Sequence, residues 1–479
     1  MTLLFLLVIS LATAGAACGE PPSAGASPRV GPTDLAEFSA FIDSIMTAEM
    51  AAAHIPGAAF VFIRDHRVIL ARGYGLADVE AHRAVAVDST IWRVGSISKV
   101  FTATAVMQLV DRGLVELDAP IDRYVHKVSI PATFPDPVTV RQLLDHTAGF
   151  DEIRPGTQAA SRDSLLPLAD FLRHRLVRVR PPGRTIAYST YGMTLAGELV
   201  EEVSGQPFER YMEENIWRPL GMSRTCINVP ERWLGHTARG YELSGDSLAV
   251  QPWEWYHTIP ASSINATASD MARFLLAHLD YGAAASERLF DERTGMEMQR
   301  QQVTMDPRLP GFALGFYEDY VGKLRVLEHG GNTAGFSAEL LLIPGHHAGF
   351  FVVNHLEGSR LRDNLKWALL QRYYPAARER HQVPPLTTAA PSSAVRFAGQ
   401  YVPTSSCWSC RPVRASSLFD VTSNPDGSLT MAGGRWIPVD SLLFVNEKGT
   451  GYIAFRANSS GAITHCFPGG FWSFQRVPE

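Results

Sequence analysis

Residues 92–121 read WRVGSISKVFTATAVMQLVDRGLVELDAPI. Apolar residues run from Val100 and Phe101 through Ala103, Ala105, Val106, Met107, Leu109 and Val110 to Gly113, so the stretch predicts a largely buried helix. Ser96 falls in its first turn, with Lys99 three residues on. Side chains three apart on a helix share a face, so the hydroxyl and the amine meet. A serine hydroxyl is a poor nucleophile until its proton is removed. A neutral, desolvated lysine amine can remove it, and the helix N-terminus favours the negative charge that develops.

Composition sharpens this reading. The chain has five lysines, Lys99, Lys127, Lys323, Lys366 and Lys448, and its other basic residues apart from histidine are arginines. Arginine stays charged in proteins and cannot serve as a base. Lysine therefore stands where only lysine works, and no other Ser-x-x-Lys occurs.

Working outward, Leu35 to Ala53 has helical spacing, closed by Pro56-Gly57. AAFVFIRDHRVILARGYG (58–75) reads as a hairpin turning at Asp65-His66. Helical signals dominate from Ser96 to Leu279, with Ser269 as an expected N-cap for MARFLLAHL (271–279). Strand character returns in GFALGFYEDY, KLRVLEH, SAELLLIP and HAGFFVVNH, followed by a helix over 361–373. The two strand groups are expected to pair into one antiparallel sheet flanked by helices, with a helical subdomain between them, an α/β (α+β) arrangement.

These stretches, taken in order, resemble the serine β-lactamase and penicillin-binding protein family, nearest to the class C β-lactamases and the related esterases and D-amino-acid peptidases. The likeness covers about residues 35–374. It is carried by residues 92–121, VTVRQLLDHTAGF (138–150), Pro182-Gly183 leading into YSTYGMTLAGELVEEVSG (188–205), PLGMSRT, ASDMARFL and HGGNTAGFSAELLLIP (329–344). The resemblance implies an acyl-enzyme on Ser96, with Lys99 and Tyr188 managing protons. The family's Tyr-x-Asn falls on Tyr188-Ser189-Thr190, so Thr190 replaces an asparagine that contacts the lysine and the substrate amide. The family's third motif, Lys-Thr-Gly in β-lactamases, falls on His329-Gly330-Gly331-Asn332, closer to the esterase and peptidase branches. An imidazole there can donate to the carbonyl side of a substrate or tune the tyrosine. The glycines would let substrate lie against an edge strand. The backbone N–H groups of Ser96 and Asn332 would form the oxyanion hole. His146 reads as architectural, and Ser262-Ser263 stands where relatives often carry a glycine pair. The histidines of Gly345-His346-His347 read as turn residues.

The flanks differ in character. Residues 1–17, MTLLFLLVISLATAGAA, resemble an export signal, followed by Cys18 and a tether over 18–32. That arrangement resembles a lipoprotein signal, with Cys18 as the lipidation candidate and a membrane tether, and it implies a periplasmic or envelope location. Residues 33–378 form the expected hydrolase domain, 379–393 a Pro/Ser/Thr-rich linker, and 394–479 a small β-sandwich or β-barrel. The hydrolase domain is expected to fold without the C-terminal part. Cys407-Trp-Ser-Cys410 has the spacing of a redox pair or zinc knuckle. No second such pair completes a zinc set, which leaves a local disulfide or buried thiols.

A net charge of -5 without a basic block argues against a nucleic-acid partner. No phosphate loop, dinucleotide fingerprint, HExxH or Gly-x-Ser-x-Gly elbow is present, so neither a cofactor nor a metal is expected. The expected partner is a small ester, peptide or β-lactam substrate. An efficient β-lactamase is the least expected of the three, given His329 and Thr190. The alternative is a non-catalytic envelope binding or sensor protein on the same fold.

Overall fold

The computed structural model describes residues 30–245, 247–283, 288–380, 383, 393–410 and 418–477. The export signal, Cys18, most of the tether and most of the linker lie outside the described residues.

The chain enters through helix α1, Leu35–Ala52. Asp34 caps it, its carboxylate accepting from the Ala36 and Glu37 N–H groups, a contact worth about 1 kcal/mol. Phe38, Ile42 and Met46 form its buried stripe. Strands β1, Gly57–Arg64, and β2, Arg67–Asp78, form the expected hairpin. Asp65 and His66 both take positive φ, as the favoured two-residue hairpin turn requires. Short β3, Arg83–Ala84, follows.

The other strands of the sheet come some 230 residues later. They are β4, Tyr317–Val321, β5, Leu324–Thr333, β6, Phe336–Ile343, and β7, Ala348–Asn354. The sheet runs β4-β5-β6-β7-β1-β2-β3, antiparallel throughout, with β1 joined to β7 by Ala58↔Asn354 through Arg64↔Ala348. The two strand groups thus make one sheet. Its pleat feeds two cores. Phe60 and Phe62 of β1 pack with Phe350, Val352, α1 and helix Leu361–Tyr373 on one face. Ala59, Val61 and Ile63 pack with Phe351, Val353 and the helical region on the other.

Three helices of that region concern the site: α2, Ser98–Asp111, α3, Thr190–Ser204, and α4, Ala268–Leu279. Helix α2 is buried along nearly its whole length. The N-cap of α4 is Thr267, whose side chain accepts from Asp270 N–H, and not Ser269. The apolar pattern fixed the helix, but Thr267 is the residue with extended backbone. No helix among the described residues is long and apolar enough to cross a membrane.

The C-terminal part is a closed antiparallel barrel of eight strands. Its first strand, Gly399–Pro403, pairs with its last, Phe474–Arg476, and closure leaves no free edge. Phe397, Tyr401, Phe444, Phe455 and Cys466 fill it. Leu443, Ala454 and Phe467 pack with Leu309 and Val383 in a separate apolar cluster that joins barrel to body. Arg308 pairs with Asp306 and Asp440 across the same junction, 2.7 and 2.5 Å apart.

Candidate active site

Ser96 sits in a 3-10 turn, Gly95–Ile97, that leads directly into α2. Ser98 ties this turn down. Its hydroxyl donates to the Gly95 carbonyl at 2.6 Å and accepts from Ile264 N–H at 3.0 Å. Gly95 has φ of +55°, and a Cβ there would stand 2.9 Å from the Asn332 nitrogen. A Cβ on Gly331 would meet the Val94 carbonyl at 2.0 Å. The two glycines thus bring the β5 backbone against the serine turn, with Asn332 N–H beside it. This is the contact that a two-donor oxyanion hole from Ser96 and Asn332 requires.

Lys99 is 1% exposed, and its Nζ lies 3.0 Å from Ser96 Oγ. Nζ donates to the Ala261 carbonyl at 2.9 Å and lies 4.8 Å from the centre of the Tyr188 ring. With one N–H spent on Ala261, the amine is held at hydrogen-bond distance from the serine hydroxyl.

Thr190 does not take over the asparagine's contact with the lysine. Its N–H donates to Glu152 Oε2 at 2.8 Å, and its hydroxyl hydrogen-bonds the same carboxyl. Glu152 is buried, which raises its pKa. The Ala261 carbonyl, on the short helix Ile259–Ser262, holds the lysine instead.

His329 is 1% exposed on β5. Its Nδ1 lies 2.8 Å from the Gly330 carbonyl, which can only accept, so Nδ1 carries the proton. Burial pushes its pKa down to about 3 and keeps the ring neutral. Nε2 is then an acceptor, buried and without a hydrogen-bond partner among the described residues. Of the two roles the sequence left open, this tautomer disfavours donation to a carbonyl and favours tuning a phenol.

One residue escaped the motif reading, and one architectural residue gains a definite task. Tyr317, on β4, lies with its ring 5.0 Å from His329 and 6.0 Å from Tyr188, nearly parallel to the latter. It hydrogen-bonds Tyr188, and burial raises its pKa well above the ordinary phenol value. Tyr317 therefore stays protonated and can donate to the Tyr188 oxygen. The signal lay in the hairpin: with the turn at Gly322, Tyr317 faces Glu328, next to His329. His146 is the second. Its Nδ1 accepts from Ser189 N–H at 3.2 Å and its ring lies 4.5 Å from Tyr188, so it fixes where the tyrosine stands.

The barrel reaches this site twice. Phe471 and Trp472 lie 5.7 and 5.9 Å from the Tyr317 ring. Cys407 and Cys410 form a disulfide, and the loop it closes grips Asp151, beside Glu152. The Trp408 and Ser409 N–H groups donate to that carboxylate at 2.7 and 2.8 Å, and the Ser409 hydroxyl at 2.6 Å. Arg180 stacks over Trp408 at 4.8 Å. Among the described residues, no group of histidine, cysteine and carboxylate side chains with metal-ligand proximity lies at Ser96.

A serine hydroxyl, a buried amine and a phenol between an antiparallel sheet and a helical subdomain define the penicillin-recognising class of serine hydrolase fold. The comparisons agree: the Beta-lactamase family model matches residues 42–373, and the chain belongs to that family. It is similar to Protein flp of Staphylococcus aureus, 24% identical over 324 residues covering 66% of this chain and 62% of that protein. It therefore spans about three-fifths of that relative's length. It is also similar to Penicillin-binding protein 4 of Amycolatopsis lactamdurans, 28% identical over 57% of this chain and 71% of that one. Among solved structures, SurE aligns with a TM-score of 0.65 at 23% identity, over 92% of this chain and 99% of SurE. The octameric penicillin-binding protein homologue from Pyrococcus abyssi aligns with a TM-score of 0.60 at 21% identity, over 91% and 99%. The fold is thus shared across body and barrel.

Proposed function

We propose that the chain hydrolyses a carboxylic ester or a D-amino-acid peptide through an acyl-enzyme on Ser96. The observation that carries this reading is the 3.0 Å approach of a buried lysine amine to Ser96 Oγ, with its other polar contact made to a carbonyl. In the first step Ser96 Oγ bonds to the substrate carbonyl carbon and its proton passes to the Lys99 amine. The Ser96 and Asn332 N–H groups hold the oxyanion. The bond to the leaving group breaks as the proton returns through the Tyr188 phenol. Water then attacks the acyl-serine, giving up its proton by the same route, and releases the acid. Tyr317 can donate to the Tyr188 oxygen, and the His329 ring lies beside both phenols, so the two residues hold Tyr188 in place for this transfer. The histidine at position 329 and the engagement of Thr190 with Glu152 both favour esters and peptides over β-lactams in this reading. An envelope location with a lipid tether at Cys18 fits the N-terminal sequence and belongs to the same proposal.

The test is intact-mass spectrometry after brief exposure to an activated p-nitrophenyl ester, with nitrophenol release read from the same tube. A single acyl adduct or nitrophenol release in the wild type, absent from Ser96→Ala, is the expected result. Neither adduct nor Ser96-dependent release would give the lead to a binding or sensor protein.

A further inference from the structure

At the end of the sheet away from Ser96, three side chains from separate elements converge. His66 lies in the β1–β2 turn, His347 precedes β7, and Asp280 follows the last turn of α4. Each offers one donor atom, and the three atoms lie within 4.8 Å of one another. His66 Nδ1 is 2.6 Å from Asp280 Oδ1, and the two imidazole centres are 6.0 Å apart. His347 Nδ1 is buried and has no hydrogen-bond partner among the described residues. Buried polar nitrogens are rarely left so.

We infer that His66, Asp280 and His347 form a binding site for a divalent transition-metal ion, zinc being the ion they suit best. Two imidazoles and one carboxylate are borderline ligands that zinc accepts, with donors at about 2.0–2.2 Å and a fourth position left for water. Donors set that far from one ion lie at most about 4 Å from each other, so a small rotation of the exposed His66 ring completes the set. His66 is 60% exposed and Asp280 18%, so an ion has a path in. The backbone reading of the Gly345-His346-His347 turn holds, since His347 has φ of +45°. The turn presents its second histidine to Asp280, while His346 instead faces Tyr374, 5.2 Å between ring centres. About 20 Å of β1 separates this cluster from the serine turn, so the ion would staple two hairpin ends to α4 and take no part in the acyl chemistry.

The test uses the full chain after chelator treatment, titrated with zinc by calorimetry and with cobalt(II) by visible absorption. One zinc per chain is expected, with micromolar or tighter affinity and a raised melting temperature. His347→Ala, Asp280→Asn and the surface variant His66→Ala should each weaken binding at least about tenfold and abolish the cobalt band. His346→Ala should bind like wild type. No saturable binding up to about 100 µM, or wild-type affinity in the folded His66→Ala and Asp280→Asn variants, would overturn the site.

Discussion

On the body side of the site, Lys99, His146 and His329 are each 1% exposed, and every one is placed by a backbone carbonyl or N–H. On the barrel side, Trp472 is 46% exposed and meets Tyr317 only through its ring. The first wall is dry, polar and over-determined, as proton transfer demands. The second is aromatic and half in water, as a surface that receives part of a substrate tends to be. Chemistry and selectivity are therefore expected to come apart under mutation.

The largest effect should follow Lys99→Arg. Arginine keeps some of the length and the hydrogen-bond donors but stays protonated and cannot accept the serine's proton, so turnover should fall about 10²–10⁴-fold with the fold intact. A variant within a few-fold of wild type would mean that another group takes the serine's proton.

Next comes Tyr317→Phe. It keeps the ring and removes the donor to Tyr188, so kcat should fall about tenfold with little change in KM. A change confined to KM would assign Tyr317 to the substrate wall instead.

A third prediction concerns stability under the serine helix. His278 lies 3.1 Å from the Thr104 hydroxyl on α2, and burial pushes its pKa down to about 3. The unfolded chain takes up that proton below about pH 6.5, and the folded chain does not until about pH 3. The contribution of His278 is therefore full above pH 6.5 and falls as pH drops, by about 1 kcal/mol per pH unit. Denaturant unfolding at pH 7 and pH 5 should show a smaller difference in His278→Gln than in wild type.

The smallest effect belongs to Trp472→Ala. Losing one partly exposed aromatic contact, about 0.5–1.5 kcal/mol, should raise KM about two- to tenfold for bulky apolar substrates and leave small acetyl esters unchanged. An equal loss of kcat on all substrates would show that the barrel supports the chemistry itself.

The polar wall was the legible one because its members sit in short ordered strings, and helical spacing alone brings Ser96 and Lys99 together. Tyr188 and His329 followed from the family likeness. The lysine's carbonyl partner at Ala261 and the acceptor state of His329 were not legible, since both depend on where a backbone oxygen points. The barrel was readable as β structure from its turns, but its contacts with Asp151 and Tyr317 join residues more than 150 positions apart and leave no local pattern. The expectation that the body folds alone meets Leu309, which shares an apolar cluster with Leu443, Ala454 and Phe467 of the barrel. Removing the barrel would bare that surface.

The grip of residues 407–410 on Asp151 and the packing of Phe471 and Trp472 on Tyr317 also set an order in time. During synthesis Ser96, Lys99 and Tyr188 emerge long before either barrel contact. A nascent chain whose body has already folded therefore carries Ser96 in a site with one side missing, and residues 407–410 and 471–472, made later, are the ones that complete it.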